Sequence, residues 1–377
     1  MADSVSAPLV DEIFAGKSPT DGIGLCLSGG GYRAMLFHVG ALWRLMDSGK
    51  LLEVTRVSSV SGGSITAATL ALAWTKLKTG GMAAFQREVV DRLRAMARVT
   101  VDERSVIGGL LLPGSIGQFV AKSYARHLFG EATLQDLPEE PRFIINATNL
   151  ETGSLMRFSR REIRDWRIGR IASPKVRIAD AVAASSAFPP VLSPFILDVD
   201  ADDFDPPAPG EIADDTFRSE ISLSDGGVYD NLGLQQVWGK CKTVLVSDGG
   251  GHITDNSAPP GDWVRQSLRV MEVVDQQVRN LRMIQVVGSL ARKERHGAFW
   301  SMRTDITDYG LADALSCPQE KTAAIAAIPT RLRRMDDKQQ ERLINWGYAV
   351  ADAGIRRYWS TGTAAPTDFP YPHTGID

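Results

Sequence analysis

The sequence predicts an α/β protein with a mainly parallel sheet, and three observations carry that prediction. Within residues 22–78 an apolar strand, a glycine- or serine-rich corner and a helix follow one another twice. Such successive βα units lay their strands side by side with helices across the faces. Further apolar strands end in Asp225-Gly226-Gly227 and Asp248-Gly249-Gly250, so the corner pattern recurs along the chain. Composition agrees: of 377 residues, 44% are hydrophobic and 23% charged, ample for one large globular core.

Taken in order, Met1–Asp21 reads as a flexible leader. Gly22–Leu27 is a strand running into Ser28-Gly29-Gly30-Gly31-Tyr32-Arg33-Ala34. From Met35 to Ser48 the apolar residues Leu36, Val39, Leu42, Trp43 and Met46 recur at helical spacing, and Gly49 ends the helix. Leu51–Ser58 is a strand, and Gly62–Lys78, rich in Ala, Leu and Thr, is the helix after it. Met82–Val101 is an amphipathic helix, whereas the charge-free stretch Ser105–Ala121 is broken by glycines and a proline. That stretch is read as a loop, either packed on its own domain or touching a membrane over an active site.

Arg142–Ala147 is a strand, and Ile178–Ala184 is a helix ending at Ser185-Ser186-Ala187-Phe188-Pro189-Pro190. Asp198–Asp215 holds eight acidic residues and no basic one. Its start is like a calcium loop, but Asp203 stands where that loop needs Gly and Pro209 where it needs Glu, so it is read as a solvated insertion without metal. Short strands follow at Ile221–Ser224 and Thr243–Ser247. Trp263–Arg292 is a long helix with Val264, Leu268, Met271, Val274, Val278 and Leu281 on one face, and Asp337–Tyr358 is the terminal helix. The expected organisation is a single catalytic domain over 22–360 with insertions near 102–130 and 198–218, and a tail over 361–377.

The chemistry centres on Val57-Ser58-Ser59-Val60-Ser61-Gly62-Gly63-Ser64, where a strand turns into a helix. A serine between small residues at such a corner is presented as a nucleophile, with the helix N-terminus aimed at developing negative charge. Only Ser61 has a small residue two places to either side; Ser58, Ser59 and Ser64 are rival hydroxyls, and Ser59 stands where the usual motif has Gly. An ordinary Ser/Gly turn capping a helix is the competing reading. In a parallel sheet the corners at Gly29, Ser61 and Asp225 gather at one edge. Ser61 would then supply the nucleophile, Asp225 the base, and Gly29, Gly30 and Gly31 backbone N–H groups for an oxyanion hole. The glycine run matches neither a P-loop nor a dinucleotide fingerprint, because the Lys-Ser/Thr ending and the third Gly are both missing. Arg33, just inside a helix start, is placed to meet a phosphate or the oxyanion region, or to form a salt bridge.

The glycine loop 28–34, Ser59-Val60-Ser61-Gly62-Gly63-Ser64, Ala184-Ser185-Ser186-Ala187-Phe188-Pro189-Pro190 and Asp225-Gly226-Gly227-Val228-Tyr229-Asp230-Asn231 occur in one order. Together they resemble the patatin-like phospholipase family over roughly residues 20–250, and the glycine loop is also similar to that of the cytosolic phospholipases of animals. The resemblance implies a three-layer α/β/α sandwich with a mostly parallel central sheet. It implies a Ser61–Asp225 dyad without a catalytic histidine, in which Asp225 takes the serine proton and later activates water. It further implies an oxyanion hole at Gly29–Gly31, an Arg33 that steadies the loop or a phosphate, no cofactor or metal, and a phospholipid or lysophospholipid substrate met by transient membrane contact.

Two alternatives stay open on the residues alone. Ser61, Asp225 and His252 follow the chain order of an α/β-hydrolase triad, and Asp248 duplicates the Asp-Gly-Gly corner. A non-catalytic lipid or nucleotide binder is the other. The formal charge of −3 argues against a nucleic-acid partner. Cys26, Cys241 and Cys317 have no zinc spacing and fit a reducing compartment. With no signal-peptide pattern and no run of eighteen apolar residues, the expectation is a cytoplasmic protein that reaches membranes from the surface.

Overall fold

The computed structural model describes residues 19–102, 115–251 and 255–377. Its centre is a ten-stranded sheet whose main path runs β10-β9-β1-β2-β3-β4-β5-β6, while off that path β8 (Glu220–Asp225) pairs with β3 and β7 (Phe195–Asp198) with β8. Strand β1 (Thr20–Leu27) lies between β2 (Arg56–Val60) and β9 (Cys241–Asp248), with β3 (Arg142–Asn149) beyond β2 and β10 (His296–Ser301) beyond β9. These five strands are parallel. Beyond β3 the sheet turns antiparallel through the meander β4 (Ser154–Phe158), β5 (Glu162–Asp165) and β6 (Gly169–Ala172).

Side chains alternate across the strands and so build two cores. On one face Leu25, Leu27, Val57 and Leu245 meet α1 (Gly31–Asp47), α2 (Gly62–Phe85) and α10 (Asp337–Gly354). On the other, Cys26, Val244 and Val246 meet Leu234 and Val237 near α7 (Gln235–Trp238) and Val286 of α8 (Trp263–Ala291). The result is a three-layer α/β/α sandwich around a mostly parallel sheet. Helices α1 and α10 cross with their backbones in contact: a Cβ on Gly40 would lie 1.9 Å from the Ile344 carbonyl, and one on Gly347 1.9 Å from that of Phe37.

The expected first helix begins four residues early, at Gly31, because the glycine loop feeds directly into it. The second strand begins only at Arg56, since Leu51–Glu53 forms a helical turn. The Met82–Val101 helix joins α2 through a kink at Gly81 (φ 55°), passes through a wide turn over Gln86–Val90, and ends in α3 (Asp91–Ala97). Residues 105–114 of the charge-free stretch lie outside the described residues. Its remainder belongs to α4 (Ser115–Tyr124), which buries Val120, Ala121 and Tyr124 in the main core. The acidic stretch 198–215 is tied down: Arg170 pairs with Asp205 at 2.5 Å, and Phe204 packs on the core. The C-terminal segment also docks, with Tyr371 edge-on to Trp43 and bonded through its backbone to Asn345.

One element departs from the parallel expectation in a way that matters for the site. Strand β8 (Glu220–Asp225) runs antiparallel to β3 and pairs it over Ala147–Asn149. β2 pairs the same edge of β3 over Arg142–Asn146. The two strands therefore lie end to end along one edge of β3 and run toward each other. Val60 is paired with Asn146 and Asp225 with Ala147, so Ser61 and Asp225 meet at the junction. Asp225 arrives from the opposite direction, not at the end of a neighbouring parallel strand.

Candidate active site

Ser61 is the hinge residue of the β2–α2 corner, with φ 51° and ψ −120°. A non-glycine residue held there stores strain of about 1–3 kcal/mol and persists only where its surroundings fix it. Its surroundings are visible. The Ser61 N–H donates to Ser185 Oγ at 3.0 Å, and Ser64 Oγ lies 2.9 Å from that same oxygen. Ser64 in turn bonds Ser59 Oγ at 3.0 Å, and the Ser59 hydroxyl donates to the Ile144 carbonyl at 3.1 Å. The serine standing where the motif usually has glycine is thus the far end of a hydroxyl chain beneath the corner. Ser59 and Ser64 are fully buried in these bonds and Ser58 in accepting from the Asn146 amide at 2.9 Å, so of the four serines Ser61 alone retains some exposure, 6%.

Asp225 closes the other side. One carboxylate oxygen accepts the Gly227 N–H at 2.7 Å, and the nearby Ser61 side chain favours the ionised carboxylate. Burial disfavours the charged form and pushes its pKa up to about 7, against the Gly227 N–H and the Ser61 side chain, with the Asp275 charge adding to the rise. α5 (Ile178–Ser185) holds both corners at once. The Ser185 carbonyl accepts the Gly226 N–H at 3.2 Å, and the Ala187 carbonyl accepts that of Asp225 at 2.9 Å. Ser185 therefore grips the serine corner with its side chain and the aspartate corner with its backbone.

The glycine loop lies against the serine corner with no side chain between them. A Cβ on Gly62 would stand 2.1 Å from the Gly31 carbonyl, one on Gly63 2.3 Å from that of Leu27, and one on Gly29 3.2 Å from the Ser61 Cβ. Gly30 and Gly31 have φ of 144° and 60°, a left-handed turn suited to glycine. The three loop N–H groups are not equivalent. That of Gly29 is taken by Asn231, whose carbonyl and Oδ1 each accept it at 3.1 Å. Those of Gly30, Gly31 and Gly62 donate to no acceptor among the described residues. The N-termini of α1 and α2 thus both present backbone donors beside Ser61.

Arg33 is buried behind this loop. Its guanidinium donates to the carbonyls of Gly249 and Ile328 and to Thr330 Oγ1, which ties α1 to the chain on both sides. Burial, with Arg279 nearby, lowers its pKa to about 10. These bonds tie the start of α1 to the segments at Gly249 and at Ile328–Thr330. His38 is enclosed between Ser247 Oγ at 2.8 Å and the Ser28 carbonyl at 2.9 Å, and burial lowers its pKa to about 4, which keeps it neutral. Asp248, the second Asp-Gly-Gly aspartate, accepts from Ser28, Ser301 and the Gly250 N–H and pairs with Arg303 at 3.5 Å, a structural set of contacts. His252 lies outside the described residues.

Ser185 and Asn231 carry geometry that no sequence argument had assigned to them. Both sit inside the ordered motifs, and motif membership was the available signal.

The patatin-like phospholipase family model matches residues 25–238, more than half of the chain and all the corners just described. The chain belongs to that family. Solved structures that resemble it include human GIVD cytosolic phospholipase A2 in complex with methyl gamma-linolenyl fluorophosphonate, at 16% identity over 91% of this chain and 57% of that one, TM-score 0.49. VipD from Legionella pneumophila is 17% identical over 87% of this chain and 67% of that one, TM-score 0.33. The type III effector protein ExoU is 15% identical over 90% and 54%, TM-score 0.32. The chain spans 48–60% of the length of the human structures it resembles. A comparison with curated protein sequences finds no significant match.

Proposed function

We propose that the protein is a serine lipid acyl hydrolase of phospholipase A or lysophospholipase type, working through a Ser61–Asp225 dyad. The observation that carries this reading is the placement of Ser61, at a strained strand-to-helix corner, where two strands bring it against Asp225, a buried carboxylate with a pKa near neutrality. A base of that pKa is matched to its task. As Ser61 Oγ bonds to the ester carbonyl carbon, its proton passes to Asp225. The negative charge gathering on the carbonyl oxygen meets the N–H groups of Gly30, Gly31 and Gly62, which need no reorganisation to receive it. Collapse of the tetrahedral species expels the alcohol, a lysolipid or glycerol-phosphate moiety, which takes the proton from Asp225. Water then attacks the acyl-serine with Asp225 accepting its proton, the bond to Ser61 Oγ breaks as Asp225 returns that proton to it, and the fatty acid leaves. Gly29, expected among the donors, serves here by letting Ser61 approach, and Arg33 serves by fixing the loop.

A phospholipid substrate brings the protein to a lipid surface. Among the described residues no helix is long and apolar enough to cross a membrane. The apolar rim of the site fits such a substrate: Phe188, next to the Ala187 carbonyl that accepts the Asp225 N–H, and Val228, in the helical turn after Asp225, are both about half exposed.

The test is labelling with an alkyl fluorophosphonate, followed by mass spectrometry. Ser61 is expected to carry the adduct, and Ser61→Ala to carry none. An unlabelled wild-type protein, or a label that persists on Ser61→Ala, sinks the reading.

The grip of Ser185 on both corners gives a second expectation. Ser185→Ala should lower kcat on a soluble ester by about ten- to a hundredfold, since small displacements of reacting groups are costly. The stability cost should be only about 1 kcal/mol. Ser186→Ala, which removes bonds to Tyr124 and Val182 but touches neither corner, should leave kcat close to wild type. Equal loss in both variants would show that the helix end is merely structural.

A further inference from the structure

The long helix α8 does not bury the face that its apolar periodicity suggests. It extends about 43 Å at the usual rise of 1.5 Å per residue, yet it buries only Arg279, Val286 and Ser289, all in its second half. Trp263 (79% exposed), Val270, Val273, Val274, Leu281 (64%) and Ile284 (63%) stand in solvent. At 100° per residue these six fall on one side. The helix's six charges, Arg265, Arg269, Glu272, Asp275, Arg279 and Arg282, occupy an opposite arc of about 140°, leaving about 220° without any charge.

Three features say what covers this side. A seam between two helices needs only a narrow stripe and places charges beside it, whereas a charge-free arc this broad suits a flat apolar medium. The two residues bordering the arc are both arginines, Arg269 and Arg282, with Glu272 and Asp275 lying between them on the far side. Arginines at that border can lay their stems on apolar material and reach phosphates. The helix carries four arginines against two acids in a chain of net charge −3, so it is locally basic. Finally, α8 packs against α6 (Gly227–Asp230), the turn directly after Asp225, and Arg282 lies 4.0 Å from Asp230. The side of the helix opposite its apolar face thus rests on the turn that follows Asp225.

We propose that α8 is the surface by which the protein sits on a phospholipid bilayer. The helix lies along the interface with its charge-free side at the headgroup–acyl boundary and Arg269, which borders that side, toward the phosphates. The inference rests on the lipid acyl hydrolase reading for its biological sense, but its test does not depend on catalysis. Flotation with mixed phosphatidylcholine–phosphatidylglycerol vesicles is expected to carry up both the wild type and Ser61→Ala. Val274→Asp and Leu281→Asp should each reduce flotation by about tenfold or more, the scale of removing an apolar side chain from the interface and adding a charge. Gln277→Glu, on the same side and nearly isosteric, should weaken it by a smaller factor without risk to folding. Hydrolysis of vesicle lipid should fall in parallel, while turnover of a soluble short-chain ester stays at the wild-type rate.

Wild-type protein that fails to float, or variants that float like wild type, overturn the proposal. So does a wild type that is dimeric in solution and becomes monomeric on Leu281→Asp without binding vesicles, which would assign the face to a second copy of the chain. Protein that floats but hydrolyses neither ester leaves the surface standing and refutes the catalytic reading instead.

Discussion

Replacing Asp225 by asparagine is expected to lower ester turnover by about a thousandfold, within the range of a lost general base, with the fold intact. Asparagine keeps the shape and an oxygen for the Gly227 N–H but cannot take the Ser61 proton. Ser61→Ala, which removes the nucleophile itself, should be at least as damaging. The pH dependence carries the finer test. With a pKa of about 7, wild-type kcat/KM should climb as Asp225 ionises and level off above neutrality, and the residual activity of Asp225→Asn should lack that limb. Stability should move the other way. The folded-state pKa lies above the ordinary 3.8, so the folded protein holds this proton more tightly than the unfolded chain. That contribution is complete below pH 3.8 and is lost as pH rises through about 7. The Tm of Asp225→Asn relative to wild type should therefore rise over that interval, a difference that cancels the titration of every other carboxylate. The active ionisation state is the one the fold tolerates less. His252→Ala should keep near-wild-type turnover; if it abolishes activity while Asp225→Asn is mild, the dyad gives way to a Ser61–Asp225–His252 triad.

What could be read from the sequence was whatever is local. A strand, a small-residue corner and a helix are each encoded within about ten residues of one another, so β1–α1 and β2–α2 were legible, as was the corner between the latter two at Ser61. The partner corner was legible as a motif but not as geometry. A four-residue apolar run such as Ile221–Ser224 carries no sign of its direction, and the antiparallel course of β8, which brings Asp225 head-on to Ser61, depends on its pairing with β3. The hydroxyl chain through Ser59, Ser64 and Ser185 joins residues more than a hundred apart, so the sequence shows Ser59 only as a departure from pattern. α8 illustrates a further limit. Periodicity reports that apolar residues share a side, but not whether protein or something else lies against it. Val264, Met271 and Val274 keep helical spacing and are nevertheless exposed.

Gly62→Ala should be the most damaging change that removes no chemical group. The added methyl carbon would lie 2.1 Å from the Gly31 carbonyl oxygen and 3.0 Å from the Gly31 nitrogen. The obstacle is backbone rather than a movable side chain, and Gly63 against Leu27 and Ser28 blocks the corner from yielding on its other side. One of the two corners must shift by about an ångström, and either shift separates Ser61 from the donors of the glycine loop. Turnover should fall by about a hundredfold, the scale associated with displacement of that size. Stability should fall by about 1–3 kcal/mol from overpacking. The rate of fluorophosphonate labelling should drop in the same proportion as kcat, because the phosphonyl oxygen needs the same donors as the ester oxyanion. Gly261→Ala, with nothing within 4 Å of the new carbon, is the control and should leave both rates unchanged. A Gly62→Ala protein with wild-type kcat and labelling would mean that the glycine loop does not serve the reacting oxygen at all. A loss of Tm with kcat intact would assign the close contact to folding alone.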